Sequence, residues 1–242
     1  MITHYPLGHL KISCGDLPRF LSHLEDCIQK KEKSYCIPLH LTKYELSKTD
    51  QKLQNVINSA DIVIADGAPI PWFCRRLGYQ TVHHVTGIEF AEAILEHSRE
   101  NDWSIFFLGA RPPNLEKTLT NIKSQFNHPK VVGSHDGYFS PDECIEIIKE
   151  INALKPDILF IGLGMPQKEY FIHDNFKKID ALFWLPVGGA FDIWAKVKNR
   201  SPVILQRMGL EWLQRSLYNR NKAKNVFTYG FSFFKDFLFY KP

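Results

Sequence analysis

The stretch DILFIGLGMPQKEYFIHDN (residues 157–175) indicates how this chain folds. Its apolar start ends at two glycines, Gly162 and Gly164, and Pro166 opens the charged segment that follows. A short apolar run that ends in glycine and leads into a helical segment is typical of a strand-to-helix turn in a parallel sheet. The stretch therefore predicts a βα unit and raises the question of what lies against its turn.

The same organisation recurs along the chain. Apolar runs SYCIPLHLT, DIVIADGAP, WSIFFLGA, KVVGSHDGYF and ALFWLPVGG are separated by segments with helical character, one of which carries a capping box at Ser140 and Glu143. Asp16 and Pro18 indicate the start of an earlier helix. Continuous apolar strands separated by helices of about 10 to 15 residues predict an α/β fold, with a mostly parallel sheet and helices on both faces.

Composition bounds the class of protein. The chain has 242 residues, of which 44% are hydrophobic and 23% are charged, as is ordinary for a soluble globular protein. Its five cysteines form no C-x-x-C pair, which favours a reducing cytoplasm and argues against structural zinc. The N-terminal residues do not look like a signal peptide, and no segment approaches the ~20 apolar residues that span a bilayer.

Charge divides the chain into an acidic body and a basic tail. Residues 194–242 hold ten lysines and arginines but two acids, a net charge of +8 against +4 for the whole chain. We therefore predict a core over residues 1–193 and a C-terminal appendage over residues 194–242 that binds an anionic partner. Nothing indicates a nucleic-acid partner.

The end of the tail is rich in aromatic residues. FTYGFSFFKDFLFYKP (residues 227–242) contains eight of them beside lysines, a composition that suits the headgroup region of an anionic membrane. The alternative is a helix packed on its own core or on another subunit, with Phe227, Phe231, Phe234 and Leu238 on the buried stripe. We favour peripheral membrane contact and leave homo-oligomerisation open.

Glycine turns follow several predicted strands. They contain Gly109, Gly164 and the pair Gly188–Gly189, and a fourth strand ends in Asp66–Gly67. Ligands of open parallel sheets bind beyond the carboxyl ends of the strands, where glycine lets them approach the backbone and helix N-termini face phosphate. Glycine also serves tight packing alone, but four such turns favour a nucleotide or phosphate ligand. The fingerprints G-x-G-x-x-G and G-x-x-x-x-G-K-[ST] are missing, which disfavours a dehydrogenase or a P-loop NTPase.

Several motifs together carry a family resemblance. Read in order, ADGAPI, RRLG, VTG, FFLGARP, VGSHDGYF, PDILFIGLGMPQKEYFI, PVGGAFDIWAKVKNRSP and GLEWLQR resemble the WecG/TagA/CpsF glycosyltransferase family over about residues 61–220. The resemblance implies a Rossmann-like α/β core with a C-terminal appendage that contacts the inner face of the cell membrane. It also implies an inverting transferase of cell-surface polysaccharide biosynthesis. Such an enzyme moves a hexose, an N-acetylhexosamine or a uronic acid form from a UDP-sugar to a polyprenyl-diphosphate-linked saccharide.

Asp66 matches the general base that the resemblance implies. Inversion needs a carboxylate that takes the proton of the acceptor hydroxyl, and a strand end beside Gly67 suits that role. The alternative for an Asp before a glycine is an Asx turn or a helix cap.

We expect no metal or other cofactor, because the D-x-D motif of metal-dependent transferases is missing. Helix N-termini and arginines would then neutralise the leaving diphosphate. The predicted groups are the turn at Gly109, Ala110 and Arg111, the turn at Gly164, and the tail residues Arg200, Arg207, Arg215 and Arg220. The alternative for each arginine is a solvated charge on the surface of the protein.

The other substrate-binding candidates also lie in turns. They are Gly67, Thr86, Gly87, Asp136, Gly137, Tyr138, Pro166, Gln167, Lys168, Glu169, Gly188, Gly189 and Asp192. Tyr138 either stacks on uracil or packs, and Asp192 either accepts from ribose or sugar hydroxyls or interacts with a helix dipole. Relatives usually read Pro-Lys-Gln-Glu where this chain has Pro166-Gln167-Lys168-Glu169. Neighbours on a helix point about 100° apart, so the exchange leaves open whether the ammonium of Lys168 or the amide of Gln167 faces the ligand.

Some positions depart from the family pattern. The early strand usually carries Thr-x-Asn, whereas IPLHL has Pro38 and His40 there, so the donor sugar does not follow from the resemblance. One rival function is a nucleotide-sugar-modifying enzyme, which the missing dinucleotide fingerprint G-x-G-x-x-G disfavours. Another is a non-catalytic nucleotide-sugar-binding subunit of a membrane glycosyltransferase complex.

Overall fold

The computed structural model describes residues 2–198 and 220–240, with only the backbone described for residues 220–228. Its first element is a hairpin of β1 (His4–Leu7) and β2 (Leu10–Ser13), which pair antiparallel. The sequence did not predict this hairpin, because four-residue strands are too short to show a clear alternation.

A six-stranded parallel sheet forms the centre of the fold. Its strands are β3 (Ser34–Leu39), β4 (Ile62–Ala65), β5 (Ser104–Gly109), β6 (Lys130–His135), β7 (Ile158–Gly162) and β8 (Phe183–Pro186), in the order β4-β3-β8-β7-β5-β6. Every residue of β3, β4 and β8 is buried. Burial on both faces explains why these strands read as continuous apolar runs.

Helices flank the sheet. They are α1 (Leu17–Lys30), α2 (Leu41–Leu46), α3 (Gln51–Ser59), α4 (Pro69–Arg76), α5 (Gly87–Glu100), α6 (Pro112–Gln125), α7 (Pro141–Leu154), α8 (Gln167–Asn175), α9 (Ala190–Trp194) and α10 (Arg220–Phe239). The capping box at Ser140 and Glu143 is present at the start of α7. The predicted α/β fold with a parallel sheet, flanking helices and a C-terminal helix is confirmed.

The run SYCIPLHLT is a strand only as far as Leu39, so the predicted strand was too long. His40 ends it by capping α2, since its side chain accepts a hydrogen bond from the backbone N–H of Lys43. The Lys43 side chain is buried and donates to the Pro38 carbonyl at 2.6 Å. These local hydrogen bonds compete with strand geometry and begin a helix.

The chain divides into two compact units. Unit 1 comprises Met1–Arg19, Ile37–Thr86 and Arg200–Pro242, and unit 2 comprises Phe20–Cys36 and Gly87–Asn199. The predicted division between residues 1–193 and 194–242 stays a prediction.

Within unit 1, one face of α10 packs against α2 and α4. The Phe233 ring lies with its centroid 5.5 Å from that of Tyr44 and 5.4 Å from that of Phe73. Asp236 accepts a hydrogen bond from the Tyr44 hydroxyl at 3.0 Å and pairs with Lys48 at 2.8 Å. Burial and the neighbouring Asp236 carboxylate raise the pKa of Tyr44, so its hydroxyl stays a donor.

The opposite face of α10 is apolar and exposed. Phe231 is 78% exposed, Phe234 54% and Phe239 74%. The alternative of a helix packed on its own core is thus partly confirmed, but the predicted stripe was wrong: Phe231, Phe234 and Leu238 are exposed, and Phe233 makes the buried contact. Within residues 2–198 and 220–240, no helix has both the length and the apolar character needed to cross a membrane.

Candidate functional site

Some glycines at the strand ends of unit 2 serve packing. Gly109 has a φ of +140°, and a Cβ on it would lie 2.5 Å from the backbone of Gly162. A Cβ on Gly137 would lie 2.8 Å from the Leu163 side chain, and its N–H donates to the Ala110 carbonyl at 2.8 Å. Real Cβ contacts are not this short, so close loop packing accounts for glycine at 109 and 137.

Other glycines have no such explanation. Gly189, the exposed N-cap of α9, has a φ of −71° and a ψ of −1°, which any residue adopts. Apart from the two adjacent residues in the chain, no atom of the described residues would lie within 4 Å of a Cβ on Gly189. Gly164 is also exposed, and a Cβ on it would meet the Gln167 side chain at 3.2 Å. Glycine at these positions leaves the backbone open to an approaching ligand.

The triplet that follows Pro166 divides into one exposed and two buried residues. Lys168 is 6% exposed and Glu169 0%, and the Lys168 ammonium lies 3.1 Å from a carboxylate oxygen of Glu169. Gln167 is exposed, and its amide nitrogen, in the orientation that satisfies both ends of the amide, donates to the Gly164 carbonyl at 3.2 Å. The structure thus places the amide of Gln167, not the ammonium of Lys168, on the open side of the turn.

The Lys168 side chain supports the turn after β8. Its Cε would lie 3.7 Å from a Cβ on Gly188, whose φ is +49°. A residue with a side chain would be strained at that position, so the backbone conformation favours glycine at 188. The buried Lys168 side chain therefore lies close to the turn after β8.

An exposed aromatic side chain follows β6. Tyr138 is 66% exposed, and its hydroxyl accepts a hydrogen bond from Nε of Arg111 at 3.2 Å. This hydrogen bond raises the pKa of Arg111, which holds its positive charge. Asp136 accepts from the Tyr138 N–H at 2.8 Å and so shapes the turn. The tyrosine ring is available for stacking, with a cation beside it.

Asp192 lies in the first turn of α9 and has two partners. One carboxylate oxygen accepts a hydrogen bond from the Asn114 amide at 3.0 Å, and the other pairs with Lys198. Sequence reasoning missed Asn114. The signal was present in ARPPN, where a polar residue stands in the first turn of the helix after a glycine turn. The pair offers both a donor and an acceptor at one place.

In unit 1, Asp66 directly follows β4. Its N–H donates to the Leu39 carbonyl at 2.9 Å, and its side chain is half-buried. The next helix, α4, has Ala68 as its N-cap, a residue whose side chain makes no capping hydrogen bond. Gly67 takes a φ of +71°. The Asx-turn or helix-cap alternative for Asp66 and its role as the base both stay predictions.

The remaining candidates are buried or lie outside the residues that the structure fully describes. Thr86, the last residue of unit 1, is buried, and Gly87 is the buried first residue of α5 in unit 2. Arg200, Arg207 and Arg215 lie outside the described residues. Arg220 is the first residue of α10, and only its backbone is described. In the part of the chain that is described, no cluster of three or more His, Cys, Asp or Glu residues is arranged to hold a metal ion.

Comparison with known protein families matches residues 5–241 to the glycosyl transferase WecG/TagA/CpsF family. The chain belongs to this family. The match confirms the motif-based resemblance and extends it to almost the whole chain. A relative within the family is the N-acetylglucosaminyldiphosphoundecaprenol N-acetyl-β-D-mannosaminyltransferase of Bacillus spizizenii. It is 26% identical over 224 residues, which cover 92% of this chain and 86% of that protein.

Proposed function

We propose that the chain transfers a hexose, an N-acetylhexosamine or a uronic acid form from a UDP-sugar to a polyprenyl-diphosphate-linked saccharide. One observation carries the proposal. The chain belongs to a glycosyl transferase family, and its turns after β7 and β8 contain two exposed glycines, Gly164 and Gly189. At Gly189, neither the backbone conformation nor the packing requires glycine.

The turns that follow β5, β6, β7 and β8 would bind the donor. The exposed ring of Tyr138 stacks on uracil, and the Asp192–Asn114 pair hydrogen-bonds hydroxyls of ribose or sugar. The backbone at Gly164 and Gly189 lies against the diphosphate, and Arg111 adds positive charge. Backbone N–H groups and arginine would thus stabilise the leaving UDP without a metal.

Asp66, which matches the base that the resemblance implies, would be the general base. It takes the proton of the acceptor hydroxyl as the acceptor oxygen forms a bond to the anomeric carbon and the bond from that carbon to the UDP oxygen breaks. The electron pair of the broken bond leaves with UDP, and the sugar is inverted. The name of the Bacillus relative describes an acceptor with N-acetylglucosamine on diphosphoundecaprenol, which supports the same class of acceptor here.

The test is a transfer assay with that acceptor and a panel of UDP-glucose, UDP-N-acetylglucosamine, UDP-N-acetylmannosamine and UDP-glucuronate. We expect one donor to give a disaccharide-lipid product at a rate that EDTA does not change. Binding of UDP without transfer from any donor would favour the non-catalytic subunit instead.

The variant Gly189→Leu tests the position of the donor in the same assay. Because Gly189 has an ordinary φ and open space around its Cα, the melting temperature should not change, while a ligand against the backbone would be displaced. We expect UDP to bind about tenfold more weakly or worse, a loss of about 1.4 kcal/mol. Gly230→Leu, at an equally open glycine of α10, is the matched control and should bind UDP normally. Equal UDP binding by both variants would contradict this placement.

We also propose that the exposed face of α10 contacts the inner face of the cell membrane, with the protein held there peripherally from the cytoplasm. Phe231, Phe234 and Phe239 supply an apolar surface, and the basic tail supplies attraction to anionic lipids. The acceptor is a lipid, so such contact would bring the protein to its substrate.

Changing Phe231, Phe234 and Phe239 together to Ser should weaken binding to phosphatidylglycerol vesicles at least tenfold, since each buried Phe contributes about 1.5 to 3 kcal/mol. Cosedimentation with vesicles measures the change. Point changes are preferable to removing α10, because Phe233 packs on Tyr44 and Phe73. The control is Ile145→Ser with Leu154→Ser, which are exposed apolar residues of α7. If the control weakened binding equally, the α10 face would not be the contact.

A further inference from the structure

The register of two strands places His40 beside Asp66. In a parallel sheet, each residue lies opposite a lateral partner on the next strand. The carbonyl of the first residue accepts a hydrogen bond from the N–H of the residue that follows this partner. The bond from the Asp66 N–H to the Leu39 carbonyl, at 2.9 Å, therefore pairs Leu39 with Ala65 and His40 with Asp66. His40 keeps an extended backbone, with φ −116° and ψ 165°. Lateral partners lie about 4.8 Å apart and extend their side chains from the same face.

The hydrogen bonding of His40 defines its tautomer. Nδ1 accepts a hydrogen bond from the backbone N–H of Lys43 at 3.4 Å, so it carries no proton in this state. A neutral imidazole that accepts at Nδ1 carries its proton on Nε2 and can donate from there. Lys43 also ties the first turn of α2 to the end of β3 through the Pro38 carbonyl. In this tautomer the ring offers its Nε2–H as a donor at the strand end.

We propose that His40 is a positioning residue for the Asp66 carboxylate, which it orients through its Nε2–H so that the other oxygen faces the acceptor hydroxyl. This inference rests on the proposed role of Asp66 as the base. A neutral donor suits this task, because it restricts the rotation of the carboxylate and adds no positive charge beside it.

The competing interpretation is that His40 only caps α2. Asn, Asp and Ser all cap helices well, so a capping role predicts similar behaviour for all three substitutions. A positioning role predicts different activities for these substitutions. Asn keeps both an acceptor for the Lys43 N–H and a donor for Asp66. Asp keeps the cap but sets a second carboxylate beside Asp66, where like charges disfavour ionisation of the pair.

The experiment compares His40→Asn, His40→Asp and His40→Ser by kcat, by the KM for the UDP-sugar and by melting temperature. We expect His40→Asn to stay within about threefold of the unsubstituted protein. His40→Asp should lose about 10- to 100-fold in kcat, the size of a lost hydrogen bond to a charged group, with little change in KM. Ser at position 40 can cap α2 but is too short to reach Asp66, so His40→Ser should show a similar loss of kcat. This variant keeps the test valid if the Asp variant folds poorly.

The inference is overturned if the Asp or the Ser variant is as active as the Asn variant, or if the Asn variant loses as much kcat as either. Asp66→Asn is measured alongside to separate this outcome from failure of the proposed function. Full turnover by Asp66→Asn would remove Asp66 as the base, whereas a loss in Asp66→Asn with equal activity of the His40 variants would remove only the positioning role.

Discussion

Asp66→Asn should lower kcat by about 10²- to 10⁴-fold, the usual contribution of a general base. Asn is nearly isosteric with Asp but cannot take the proton of an acceptor hydroxyl. Since Asn keeps the size of the side chain and the bond from the backbone N–H of residue 66 to Leu39 survives the change, we expect the fold to persist. Transfer kinetics give kcat, calorimetry gives UDP affinity and thermal unfolding gives stability, and only kcat should change.

The matched control for this variant is Asp16→Asn. Asp16 also follows a strand, β2, and its carboxylate accepts from the Arg19 N–H at 3.1 Å, a bond that Asn can replace. Activity close to that of the unsubstituted protein is expected. Asp66→Asn with full activity would show that proton removal from the acceptor lies elsewhere.

The second large effect concerns the stability of the buried ion pair. Glu169→Gln would leave the ammonium of Lys168 in a buried site without the charge that lies 3.1 Å away. Breaking a buried pair by neutralising one partner costs about 3 to 5 kcal/mol. For a chain of this length, the melting temperature should fall by roughly 10 °C. Calorimetric or circular-dichroism unfolding measures the change.

Two further variants define the cause. Lys168→Met combined with Glu169→Gln removes both charges at similar volume and should recover most of the lost stability. Glu146→Gln breaks the exposed pair between Glu146 and Lys149 in α7 and should change stability by less than about 1 kcal/mol. If Glu169→Gln were as mild as Glu146→Gln, the pair would not be buried as described.

Much of the fold was predictable because its signals are local. Continuous apolar runs marked the strands of the central sheet, and the capping box at Ser140 marked the start of α7. The hairpin of β1 and β2 escaped prediction because each strand is four residues long. Within SYCIPLHLT, the capping bond from Lys43 to His40 ended the strand early, and apolar content alone does not report such a bond.

The candidate site was predictable as a set of turns but not as a set of roles. Gly109 and Gly189 look alike in sequence, yet a Cβ would clash with the neighbouring Gly162 at one and meet open space at the other. Lys168 and Gln167 are adjacent, and burial of one beside Glu169 decided which side chain is accessible. On a helix, consecutive residues point about 100° apart, so packing of α8 sets this choice.

By itself, the sequence determined that this protein is an α/β member of a glycosyl transferase family, with an acid at the end of one strand and glycine turns at the ends of others. Only the tertiary structure decided which glycines are open, which face of α10 is exposed, and that His40 pairs laterally with Asp66. The physical reason is distance along the chain. Apolar patterns and caps depend on neighbours in sequence, whereas burial, clash and strand register depend on residues that folding brings together.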